Sequence, residues 1–189
     1  RPESRRVKFE TIRPVREAPF SEILEALQGK FCSIEDLVGK GHAVASLGAV
    51  KPVELLDFKP TDNGHYEKMM MKKGQRTLDG GHAVLLDAPK YKYRFVFRDR
   101  IGEDAHEMLC EDWEGGELYR NCEEMRKKGK YPDENTVHEK VKAKMMEVAG
   151  KPGAFFVVGT HFRFGTYMVV GVVYPKKSDL KLGFWVTYS

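Results

Sequence analysis

Cysteine is scarce in this chain of 189 residues. Cys32, Cys110 and Cys122 are odd in number and show no Cys-x-x-Cys spacing. Neither a disulfide framework nor a thiolate zinc site is expected from that pattern, and a reducing, cytoplasmic setting is. Long apolar runs are missing as well. None approaches the ~20 residues a spanning helix needs, and no signal-peptide pattern opens the chain, so a soluble protein without a membrane partner is expected. Amides are few: Asn63, Asn121, Asn135, Gln28 and Gln75 are all there are, against 32 Lys and Arg and 28 Asp and Glu. That bias is the one seen in thermophile proteins. Charge of one sign is not in large excess. A net +4 permits an anionic partner without demanding one. The chain starts at Arg1 without a Met, which leaves open whether its natural N-terminus extends further upstream.

What the sequence does have is one very apolar stretch, Ala154 to Tyr174. Both halves are near-continuous runs of β-branched and aromatic residues, the pattern of strands covered on both faces. The break falls at Arg163-Phe164-Gly165, where Gly165 can supply the positive φ of a tight connection. An apolar hairpin of this kind invites aggregation at a sheet edge, so it is predicted to sit inside the sheet.

In chain order, a basic tail at 1–6, taken as mobile, runs into a strand near 7–13. Ser21 caps a helix over 21–28 that carries Phe20, Ile23, Leu24 and Leu27 on one face. Ser33 with Asp36 starts a short helix by the capping-box spacing. Strands are expected at 42–47 and 53–58, a hairpin at 66–78, and a strand at 83–87. Gly-His-Ala-Val occurs at 41–44 and again at 81–84, two copies that share a glycine turn feeding a strand and fall short of a repeat array. Tyr91 to Arg98 alternates: Tyr91, Tyr93, Phe95 and Phe97 fall on one face, and Lys92, Arg94, Val96 and Arg98 on the other. Helical spacing then covers 104–126, interrupted by Gly115-Gly116, and 136–149, where Thr136 and Glu139 have capping-box spacing. A last strand is expected at 182–188. Strands, then a helical pair, then strands indicate an α+β fold. The reading is a single domain over 1–189, with a mainly antiparallel sheet, free to curl into a half barrel, centred on hairpin 154–174 and packed by three main helices.

Three stretches carry the functional expectations. On Tyr91 to Arg98 the rings are expected to face the core, leaving Lys92, Arg94 and Arg98 to meet phosphates. The hairpin tip presents His161, Phe162, Arg163 and Phe164, as base or phosphate contacts or, in His161, as a catalytic imidazole. Asp57-Phe58-Lys59 is similar to the last catalytic element of the restriction-endonuclease-like nucleases, an acid, any residue and a Lys at a strand end. That resemblance implies a metal-holding acid and a Lys that assists the attacking water. The family also places an acid on the preceding strand, and 42–47 has none.

Metal ligation has little support in the spacing. His106 and Cys110 share a helical face without a second pair of ligand type nearby, and they read as a core histidine and a buried thiol. No metal and no cofactor is expected. The leading expectation is therefore an accessory nucleic-acid-binding protein, favouring RNA or single strands, through Lys92, Arg94, Arg98 and residues 161–164, with the Arg126-Lys127-Lys128 and Lys176-Lys177 clusters in support. The alternatives are a hydrolase or nuclease acting on a phosphate-containing substrate with His161, Asp57 and Lys59, and a docking subunit or homo-oligomer with a protein partner.

Overall fold

A computed structural model of the chain describes residues 18–41, 44–64, 89–161, 165–176 and 179. The elements are α1 (Phe20–Ala26), α2 (Ile34–Lys40), β1 (Leu47–Val50), β2 (Glu54–Asp62), β3 (Tyr91–Arg98), β4 (His106–Cys110), α3 (Trp113–Lys127), α4 (Glu134–Ala149), β5 (Phe155–Thr160) and β6 (Tyr167–Val173). The fold is α+β, as expected. The predicted tail and strand of 1–13, the hairpin at 66–78 and the strands at 83–87 and 182–188 lie outside the described residues, as do His42 and Ala43 and the second Gly-His-Ala-Val.

The six strands form one open sheet in the order β1-β5-β6-β4-β3-β2. The apolar hairpin takes two interior places, β5 between β1 and β6, and β6 between β5 and β4. Gly165 has φ 63°. Its amide donates to the His161 carbonyl, and the His161 amide to that of Thr166, both at 2.9 Å, which closes the connection. Among the described strands β2 is the edge beside β3, where Pro60, which has no N–H to offer a ladder, is tolerated. Beyond Asp62, Asn63 closes the β2–β3 pair by donating from its amide to the Lys90 carbonyl and from its side chain to that of Pro89.

Among the described strands every pairing is antiparallel except β4 with β6, a short parallel join in which Cys110 faces Val169; an isolated parallel bridge also joins Phe31 to Ala49 of β1. The Glu111 amide extends the β4–β6 join by donating to the Val169 carbonyl at 2.8 Å. Where β4 stops, the Asp112 carboxylate takes over, accepting from the Val172 amide at 2.6 Å.

The predicted facing of β3 holds. Tyr93, Phe95 and Phe97 are buried and meet Phe58 of β2 and Phe156 of β5 with ring centroids 4.4 to 5.0 Å apart. α4 lays Val137, Val141, Met145 and Val148 on this core. Its cap is Asp133, which accepts from the Thr136 amide, in place of the expected capping box at Thr136. α2 has the predicted capping box: Ser33 Oγ accepts from the Asp36 amide, and Asp36 from the Ser33 amide. α1 departs from expectation, since Pro19 rather than Ser21 holds its N-cap position and Phe20 is its buried residue.

The helix expected over 104–126 is corrected to a strand followed by a helix. Its first third is β4, with His106, Met108 and Cys110 on one face, and Trp113, expected in the apolar stripe, is 70% exposed. The glycine pair does not break α3 but lies in its first turn. A Cβ on Gly115 would stand 3.3 Å from Met145 Cε, so this glycine is where α4 comes close. The strand read at 42–47 begins instead at Leu47, and that of 53–58 runs on to Asp62.

Candidate functional site

Three groups of metal-ligand type converge at the end of the sheet where α2 crosses the β3–β4 hairpin: Glu35, Asp99 and His106, whose donor atoms all lie within 4.8 Å of one another. Asp99 follows directly on β3, His106 opens β4, and Glu35 lies in the first turn of α2. The hairpin turn brings the first two together, and the packing of α2 brings the third.

Each Asp99 oxygen has its own task. Oδ2 accepts from the Ile34 amide at 2.7 Å, one of the amides that a helix start leaves unpaired. Oδ1 lies 3.0 Å from His106 Nε2, which is 3.2 Å from Glu35 Oε1. The Asp99 side chain is only 2% exposed and that of His106 16%, whereas Glu35 is open to solvent. Phe97 packs beside the imidazole at 5.6 Å.

The charge balance of this cluster is its informative feature. A ring nitrogen carries at most one hydrogen, so Nε2 cannot satisfy both carboxylates fully. Arg100 acts on Glu35 through its charge, but its hydrogen bonds go to Ser33 Oγ at 2.8 Å, Asp36 at 3.2 Å and Glu103 at 3.4 Å. Donors bound to zinc at its usual 2.0–2.2 Å stand about 3.3–3.6 Å apart in a tetrahedron. The observed 3.0 and 3.2 Å are within a few tenths of that edge.

Beside the cluster runs a groove of about 330 Å³ lined by Ile34, Val38, Gly41, Met108, Gly165, Thr166 and Tyr167. Ile34 joins the two, its amide on Asp99 and its side chain in the groove wall. The Tyr167 hydroxyl lies 2.9 Å from the Leu37 carbonyl and 2.6 Å from that of Ala45, fastening the β5–β6 hairpin to α2 and its following turn.

The residues singled out in the sequence are spread more widely. Lys92, Arg94 and Arg98 stand half-exposed on the β3 face turned away from the aromatic core. Each has a carboxylate partner: Glu111 at 2.5 Å for Lys92, Glu107 at 3.7 Å for Arg94, and Glu54 for Arg98. In the 126–128 cluster, Arg126 pairs with Glu123 and Lys128 with Glu124. His161 is exposed at the end of β5. Phe162, Arg163, Phe164 and Lys177 lie outside the described residues.

Asp57 and Lys59 diverge. The Lys142 ammonium at 2.8 Å, helped by the Phe58 amide, holds the Asp57 carboxyl below its usual range. Lys59 pairs instead with Glu107 at 2.6 Å. Strand order puts β2 four places from β5, roughly 19 Å at normal strand spacing, so His161 does not meet Asp57 or Lys59 as a catalytic set. His106 and Cys110 do share a face, but on a strand. Burial pushes the Cys110 thiol up to about 12, far from the thiolate a metal needs, and the partners of His106 are the two carboxylates.

No curated protein and no solved structure matches the chain. A family model does match, over residues 28–185, which takes in the groove and all three residues of the Glu35–Asp99–His106 cluster. The chain thus belongs to the family described as Domain of unknown function (DUF8757).

Proposed function

We propose that this protein binds one divalent transition-metal ion of the zinc class through Glu35, Asp99 and His106. The observation that supports the reading is the convergence of two carboxylates and one imidazole, one carboxylate almost wholly buried. One nitrogen and two oxygens suit zinc, manganese or iron(II) better than a thiolate-preferring ion. Three protein ligands also leave a coordination position for water or a ligand, the arrangement of catalytic rather than structural zinc sites. When bound, such an ion polarises a coordinated oxygen or lowers the pKa of a bound water.

The test is calorimetric titration of zinc into the full, metal-stripped chain, beside a thermal melt. One equivalent is expected to bind and to raise the Tm. Glu35→Gln removes an exposed ligand with little consequence for folding, and it is expected to weaken zinc binding at least tenfold. Equal binding by wild type and Glu35→Gln would place the metal elsewhere, and no binding at all would end the reading.

A nucleic-acid partner is a second proposal, supported by one row of cations. Lys92, Arg94 and Arg98 lie along the β3 face opposite the aromatic core, where a phosphate backbone would have to displace Glu111, Glu107 and Glu54. The salt dependence of single-strand binding tests it.

A further inference from the structure

From the groove beside the metal ligands we infer the chemical class of what the site takes: a small molecule with a metal-coordinating oxyanion head, such as a carboxylate, and a short aliphatic tail. This rests on the metal-binding reading and adds the ligand to it.

The groove and the ligand cluster are two parts of one surface. His106 and Met108 lie two residues apart on the same face of β4, a step of roughly 6.5–7 Å, and Met108 lines the groove. Ile34 bridges the same gap on the α2 side through its amide on Asp99. A molecule lying in the groove therefore has one end directed at the ligand cluster. At about 330 Å³ the groove is at the small end of the range for small-molecule sites, about 300–1,000 Å³.

Its walls select for the tail. Ile34, Val38 and Met108 offer hydrocarbon and thioether, and Ile34 and Val38, four residues apart, share one face of α2. Gly41 and Gly165, with φ 74° and 63°, form parts of the wall that carry no side chain. Among the described residues of this lining none is lysine, arginine, aspartate or glutamate, so a charged tail would find no ionic partner on Ile34, Val38 or Met108. The head is selected by the other end. A divalent ion on two carboxylates and a neutral imidazole is balanced in charge, and its open position takes an oxygen donor. The anchoring of Tyr167 to the Leu37 and Ala45 carbonyls keeps one wall in place before any ligand arrives.

The experiment uses the full chain loaded with one equivalent of zinc and a series of linear alkyl hydroxamates, from acetohydroxamate to octanohydroxamate, titrated by calorimetry. Affinity is expected to rise about three- to fourfold for each added CH₂ until the groove is filled, from the usual value of a buried methylene. Val38→Trp, at an exposed position on the groove wall, is expected to flatten that rise while leaving zinc affinity within twofold. Zinc that binds with affinities independent of chain length would overturn the ligand assignment and leave the metal site standing. Equal binding of octanohydroxamate by the metal-free chain would overturn the assignment of the head. Failure of zinc itself to bind through Glu35 would overturn both.

Discussion

His138 is placed where an imidazole is held neutral. Its Nδ1 lies 2.8 Å from the Tyr93 hydroxyl, and the rings of Tyr91 and Tyr119 pack at 4.6 and 6.4 Å. Burial pushes the Tyr93 hydroxyl well above its usual range, so that hydroxyl stays protonated and can donate to Nδ1. Burial likewise lowers the His138 pKa from its ordinary value of 6.5, outweighing the nearby Glu134, Glu123 and Glu139 carboxylates, with Lys90 acting in the same direction. The sign of the consequence follows. Below the unfolded value near 6.5 the unfolded chain takes up a proton that folded His138 refuses, so stability falls with pH until the folded group also titrates. His138→Gln is expected to lose less stability than wild type between pH 7 and pH 5. Urea midpoints at the two pH values measure it, and an equal loss in both proteins would contradict it. The same scale shows what the sequence hides. The β3 alternation was legible because period two is a local signal, whereas Glu35, Asp99 and His106 have no spacing in common and meet only through a turn and a packed helix. An acid at position 99 heading a turn, and a histidine at 106, are too ordinary in isolation to mark a site.

At the scale of elements, the junction of β4 and α3 depends on Asp112. One carboxylate oxygen accepts from the Glu114 amide at 2.7 Å and caps α3, while the other accepts from the Val172 amide of β6. Asp112→Ala therefore removes a helix cap, about 1 kcal/mol, and leaves a part-buried strand amide unpaired, about 1–3 kcal/mol. A loss of about 2–4 kcal/mol in chemical denaturation is expected. A loss below 0.5 kcal/mol would show that water replaces both contacts. The same junction explains the misread helix. Ala105, Met108, Leu109 and Trp113 fall at helical spacing by accident, and residues four apart, such as His106 and Cys110, share a face on a helix and a strand alike. Only tertiary pairing, Phe95 with Met108 and Phe97 with His106, decides between the two. The central hairpin needed no such help, because its composition alone excluded an edge position.

At the scale of the whole molecule, the sheet is asymmetric: one face carries the buried aromatics under α4, and the other carries charge. Along β2, β3 and β4 that second face is a lattice of pairs, Lys59 and Arg94 on Glu107, Arg98 on Glu54, and Lys92 on Glu111. Pairs this exposed contribute about 0–1 kcal/mol each to folding, so removing their cations should hardly move the Tm. A nucleic acid on this face would exchange carboxylate partners for phosphates and release counterions, giving an affinity that falls steeply with salt. In Arg94→Ala/Arg98→Ala, binding to labelled single-stranded RNA is then expected to weaken, and the slope of log affinity against log salt to flatten by about two, one for each lost phosphate contact. Titration of both proteins at two salt concentrations reads both effects. Undiminished binding in the double variant would move any nucleic-acid contact off β3. No binding by wild type even at low salt would mean that the carboxylates hold these cations too well to release them, and would leave the proposed metal site at Glu35, Asp99 and His106 as the remaining functional candidate.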